Sequence, residues 1–180
     1  MGVGMIVADA LNIVSRAGGA FGARWAHVVV GITWIGLLYY FNFVQVPAFA
    51  EMEAAARNNA LDKLAWRALW WFRWGAVATW LGGAWLLGPT LLNTFTFGLV
   101  GGTSYKATVL GIGVWLGTIM LLNVWGIIWP NQKKILGIVP ATDEEKAKAR
   151  KTALYASRTN FILSIPMLLC MAATSHGLPI

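Results

Sequence analysis

Charge is what this sequence has least of. Only 12% of its 180 residues are Asp, Glu, Lys or Arg, where a soluble domain carries about 25%. The seven acids are Asp9, Glu51, Glu53, Asp62, Asp143, Glu144 and Glu145, and none falls within a long apolar run. That excludes a transporter working through an intramembrane carboxylate. Cysteine occurs once, at Cys170 inside an apolar run, so the chain can form no intrachain disulfide and carries no Cys-x-x-Cys-His haem attachment motif. A small apolar filling role is expected for it. Histidine occurs twice, as His27 and His176. No Ser–His–Asp set, paired carboxylates or Gly-rich nucleotide loop is present. The N-terminus lacks the basic start of a signal peptide. Instead Ile6, Ala10, Ile13 and Val14 recur at helical spacing, predicting an interfacial segment over residues 1–20 that ends in a hinge at Ala17-Gly18-Gly19-Ala20.

Apolar residues are abundant, at 58% of the chain with a mean hydropathy of +0.62. An unpaired charge at the bilayer centre costs roughly 2.5–3.5 kcal/mol, so a chain this poor in charge is one whose bulk faces lipid. Four stretches approach the ~20 residues that cross a ~30 Å hydrocarbon core. They lie at about 24–46, closed by Pro47; about 74–95, with a kink at Gly88-Pro89; about 107–129, stopping at Pro130; and about 159–175, with Pro166 inside. The expected fold is an all-α, four-helix membrane bundle over residues 21–180. The eleven tryptophans suit membrane–water interfaces and the spaces opposite small residues.

The net charge of +7 sits in the connections, which favours anionic lipid over nucleic acid as its partner. The 1–2 connection holds Arg57, Lys63, Arg67 and Arg73, and the 3–4 connection holds Lys133, Lys134, Lys146, Lys148, Arg150, Lys151 and Arg158. Only Arg16, Arg24 and Lys106 lie on the other side. The positive-inside rule therefore predicts both termini outside the cytoplasm, in the periplasm for a bacterial inner membrane. Within the connections, Glu51–Arg73 reads as a surface helix. Thr142-Asp143-Glu144-Glu145 reads as a capping box that starts a helix running into span four.

Two sets of residues can carry chemistry. His27 and His176 fall at the same outer level, and two neutral imidazoles can ligate a haem iron axially, giving a b-type haem. Gly31, four residues after His27, would leave a flat slot for the porphyrin. The alternative is a hydrogen-bonding histidine at the interface. A non-haem metal is disfavoured, because no carboxylate or thiolate accompanies the pair. Toward the other side lie Asn42 and Gln45 on one face of span one, Arg73, Asn123, Arg158 and Asn160. Polar groups at that depth either bond helices together or form a pocket for a quinone or a small polar ligand.

Several runs resemble a known family. Arg24-Trp25-Ala26-His27-Val28-Val29-Val30-Gly31-Ile32-Thr33-Trp34-Ile35-Gly36 resembles the first span of the membrane domain at the N-terminus of bacterial urate hydroxylases, the urate oxidase N-terminal family. Trp129-Pro130-Asn131-Gln132-Lys133-Lys134 resembles its motif after a later span. Ser157-Arg158-Thr159-Asn160, Pro166 and Ser175-His176 resemble its closing helix. The resemblance implies a redox-active inner-membrane protein whose longer relatives carry a cytochrome c domain. With four spans and no haem attachment motif, this chain departs from them. Its expected roles are electron transfer at the outer face, with a periplasmic cytochrome c or a quinone, or service as a non-catalytic subunit among other membrane proteins. His27 also resembles, more loosely, the ligand pattern of four-helix haem proteins related to protoporphyrinogen oxidase.

Overall fold

The computed structural model describes residues 16–176, with side chains from 19 to 174. The expected segment over residues 1–20 thus lies largely outside the described residues. The stretch Ala17–Ala20 is helical rather than a hinge, since the first helix already begins at Arg16. All the described secondary structure is helical. Four long, apolar rods carry it: span one (Gly19–Glu51), span two (Ala54–Phe95), span three (Tyr105–Ile135) and span four (Asp143–Thr174). Each is long and apolar enough to cross a membrane, which makes this a multi-pass membrane protein.

Two prolines do not end their helices as expected. Span one continues past Pro47 to Glu51, and span three past Pro130 to Ile135. Just before each, the helix widens into a π-turn, at Phe41–Gln45 and at Val124–Ile128, where Val46 N–H bonds to the Phe41 carbonyl and Trp129 N–H to that of Val124. Proline offers no N–H to the carbonyl four residues back and its ring crowds that group. The wider turn lets the helix absorb the missing bond. The true end of span three is Gly137, at φ 73°. Its N–H bonds to the Lys134 carbonyl and that of Ile138 to Lys133, the paired reverse bonds of a Schellman cap.

The connections follow local chemistry. Met52 is extended and the chain re-enters helix at Ala54, so the expected surface helix is the start of span two itself. Gly88, at φ 47°, kinks that span as predicted. Ser104 caps span three by accepting from Ala107 N–H. The capping box forms: Glu145 accepts from Thr142 N–H at 2.8 Å and Thr142 Oγ1 from Glu145 N–H at 3.2 Å. The helix it starts runs unbroken from Asp143 through Pro166 to His176.

Span one packs chiefly on span two, and span three on span four. The two hairpins meet around a core of Trp34, Leu38, Phe41, Leu69, Phe72, Ala76, Met120, Val124, Ile128, Ala156 and Met167. Glycines set the closest approaches: Gly75 lies against the backbone of Trp34, and Gly113 against Cys170 and Met171. Cys170 is free and half-buried there, in the filling role expected of it.

Candidate functional sites at the two ends of the bundle

At the end of the bundle where the first described helix begins and the last one ends, His27 is held by span two. Its Nδ1 lies 2.8 Å from the carbonyl oxygen of Thr79. A carbonyl only accepts, so Nδ1 carries the proton, and in the neutral ring Nε2 is the bare nitrogen with a free lone pair. Gly82 and Gly83 form the notch that admits the ring. A Cβ on Gly83 would stand 3.0 Å from His27 Cε1, and one on Gly82 3.6 Å from Nδ1. Thr79 Oγ1 turns back to the Gly75 carbonyl at 2.7 Å, so only its backbone serves His27.

Gly31 does not offer the expected slot. A Cβ there would meet Thr79 Cγ2 at 3.6 Å, because span two already fills that side. The glycine brings the two helices close. His176 closes the last helix at the same end of the bundle, but its side chain lies outside the described ones.

At the opposite, basic end, the polar residues separate into three groups. Asn123 Nδ2 donates to Asn160 Oδ1 at 2.7 Å and to the Ala156 carbonyl at 2.8 Å, and fully buried Asn160 donates to the Met120 carbonyl at 3.0 Å. One turn away on span four, Ser157 accepts from Asn42 Nδ2 at 2.9 Å. One turn the other way, Ser164 bonds to the Tyr39 hydroxyl at 3.1 Å. Span four thus presents Ser157, Asn160 and Ser164 as a polar stripe at helical spacing. Ser157 belongs to the run that carries the family resemblance but was not expected as a site residue, and Ser164 and Tyr39 were not expected at all, although the 3- and 4-residue spacing around Asn160 is present in the sequence.

The second group is Arg73, which stands apart from the asparagines. It is 8% exposed and lies face-on to Trp129, 3.8 Å from the ring centroid, with Trp66 at 5.5 Å. Nη1 is enclosed and has no hydrogen-bond partner. Cation–π contact returns about 2 kcal/mol when desolvated, against several kcal/mol for burying an ion. The box of tryptophans leaves the guanidinium short of an acceptor. Trp129 stands 56 positions from Arg73 and only packing brings it there, whereas Trp66 lies seven positions before Arg73 on the same helix, a two-turn spacing that the sequence carries.

The third group joins nothing. Gln45 sits in the widened turn before Pro47 with its Oε1 enclosed and unpartnered, and Arg158 is exposed on span four. Asn123 Oδ1 is likewise enclosed without a donor. It lies beside a lipid-side groove of about 620 Å³ lined by Ile119, Leu122, Ile127, Thr152, Tyr155 and Thr159.

A family model described as urate oxidase N-terminal matches residues 89–179. The chain belongs to this family. The matched stretch of the urate oxidase N-terminal protein takes in the Trp129–Lys134 and Ser157–Asn160 runs, Pro166 and His176. His27 and the rest of the Arg24–Gly36 run precede it. The match therefore covers span four, all of span three and the last turns of span two, including the Asn123–Asn160 pair and Trp129. No curated protein and no solved structure matches the chain.

Proposed function

We propose that this protein binds b-type haem at the end of the bundle that carries its termini and takes part in electron transfer there. The observation that supports the reading is His27: Nδ1–H is fixed on the Thr79 carbonyl and the glycine notch fixes the ring plane, leaving Nε2 bare. Histidine ligands are commonly oriented in this way, by a hydrogen bond from the other ring nitrogen that sets the tautomer and raises basicity. His27 would hold the iron, with His176 as the second ligand. When bound, haem would supply a one-electron couple whose potential depends on the histidines that hold it and on their surroundings. The chain's own part is to position His27 and to shield it on the side packed against Gly82 and Gly83. Gly31 lies one turn further along the same helix, with Thr79 at ordinary contact distance from where its Cβ would stand.

The reading places the termini outside the cytoplasm of a bacterial inner membrane, on the charge asymmetry of the connections. A periplasmic cytochrome c or a quinone would then exchange electrons with the site. The test is the visible spectrum of protein purified in mild detergent from haem-replete cells. A reduced b-type spectrum is expected, abolished by His27→Ala and weakened or altered by His176→Ala. Colourless, correctly inserted protein overturns the proposal.

A second reading has its own support. Trp70, Trp71, Trp74 and Trp85 on span two are 43%, 59%, 45% and 76% exposed, an aromatic surface suited to helices of a larger assembly. The chain would then be a non-catalytic subunit of a respiratory oxidase or membrane monooxygenase type of complex, with His27 only joining spans one and two.

A further inference from the structure

Arg73 is the only charged side chain that is buried among the described residues. We propose that Arg73, boxed by Trp66 and Trp129, binds the phosphate of an anionic phospholipid headgroup at the basic end of the bundle. Four observations carry this. The guanidinium has an enclosed nitrogen with no acceptor, which a stable buried cation must find somewhere. Trp129 covers its face at 3.8 Å, so any further bond is made in the guanidinium plane, through the N–H edge that matches phosphate oxygens in pairs.

The third observation is location. Trp66, 38% exposed, closes one side of the guanidinium and also lines a cavity of about 200 Å³ with Leu61, Asp62, Leu136 and Ile138. Three of those walls are aliphatic, as a glycerol and upper acyl chain require. Trp66 is the wall that this cavity shares with Arg73. The fourth is charge: Lys133 and Lys134 follow Trp129 by one turn, half-buried, and such clusters attract anionic headgroups. Asp62, at the rim, is exposed and opposes the anion; it disfavours small, fully charged ions more than a lipid held also by its apolar part.

The test uses the whole protein in mild detergent, with bound lipid counted by native mass spectrometry. The wild type is expected to retain phosphatidylglycerol at least fivefold better than phosphatidylcholine. Arg73→Gln should lose that preference, and Arg73→Lys, which keeps the charge without the fork, should keep part of it. Inorganic phosphate at millimolar concentration should not displace the lipid. Equal retention of the two lipids by the wild type overturns the proposal without recourse to any variant. Displacement by inorganic phosphate overturns the lipid assignment in favour of a free anion. Asp62→Asn should leave retention unchanged or raised. A loss equal to that of Arg73→Gln would make Asp62 the guanidinium's own partner and overturn the lipid site.

Discussion

Asn123 on span three donates to Asn160 on span four at 2.7 Å, and Asn160 passes the chain on to the Met120 carbonyl at 3.0 Å. Asn160 is fully buried, so both its donor and its acceptor are spent inside the bundle. The pair clamps the second hairpin at the level where the Pro130 turn widens span three. Interhelical hydrogen bonds in membranes average about 0.6 kcal/mol and reach about 1.7, so the clamp is modest in energy and specific in register.

Asn123→Leu and Asn160→Leu are therefore each expected to cost on the order of 1 kcal/mol, because each removes the shared bond and one bond to a main-chain carbonyl and leaves the remaining amide short of a partner. The double variant should cost less than the sum of the singles, as members of one network couple. Reversible unfolding in mixed micelles reads all three. Additive losses would show that the two side chains do not act as a pair.

Gly83→Ala should loosen the His27 notch, because its Cβ would stand 3.0 Å from the imidazole. Gly36→Ala meets nothing within 4 Å, and a helical Gly→Ala change is worth up to about 1 kcal/mol in favour of the alanine. A fall in thermal stability for the first and none for the second is the expected contrast. Equal behaviour would remove the notch from the account of how His27 is held.

The proposed orientation rests on charge alone. A reporter active only in the periplasm should be active when fused after Ile180 and silent when fused after Lys151. The reverse pattern would place His27 on the cytoplasmic side and take a periplasmic cytochrome c out of consideration as partner.

Thr142→Ala removes the acceptor for Glu145 N–H from the start of span four, a bond of 3.2 Å. Loss of an N-cap costs typically about 1 kcal/mol. The measurable result is faster amide exchange over Asp143–Lys148, with the remainder of the helix unchanged. Protection that stays at the wild-type level would mean that Glu145 and the preceding turn suffice to start the helix.

What the sequence determined by itself was local, and not all that is local: Pro47 and Pro130, and Gly18 and Gly19, lie inside helices they were expected to end or delay. Scarcity of charge and four apolar runs of bilayer length dictate four long helices, and the capping box, Ser104 and the Gly88-Pro89 kink are each written within a few consecutive residues. The tertiary structure decided which side chains meet. A 3.6-residue period says which residues share a face of one helix, but not how far that helix is rotated toward its neighbours. The π-turns before Pro47 and Pro130 add to this, since one extra residue per bulge turns the following face by about 100° relative to an uninterrupted α-helix. Asn42 and Gln45, on one face of an ideal helix, therefore part company: Asn42 reaches Ser157, while Gln45 in the widened turn finds no partner. Trp129, the first residue after the second π-turn, meets Arg73, and Gly31 faces Thr79 through the packing of two uninterrupted helices. Those contacts join residues 48 to 115 positions apart, and only the packing of one helix on another brings them together.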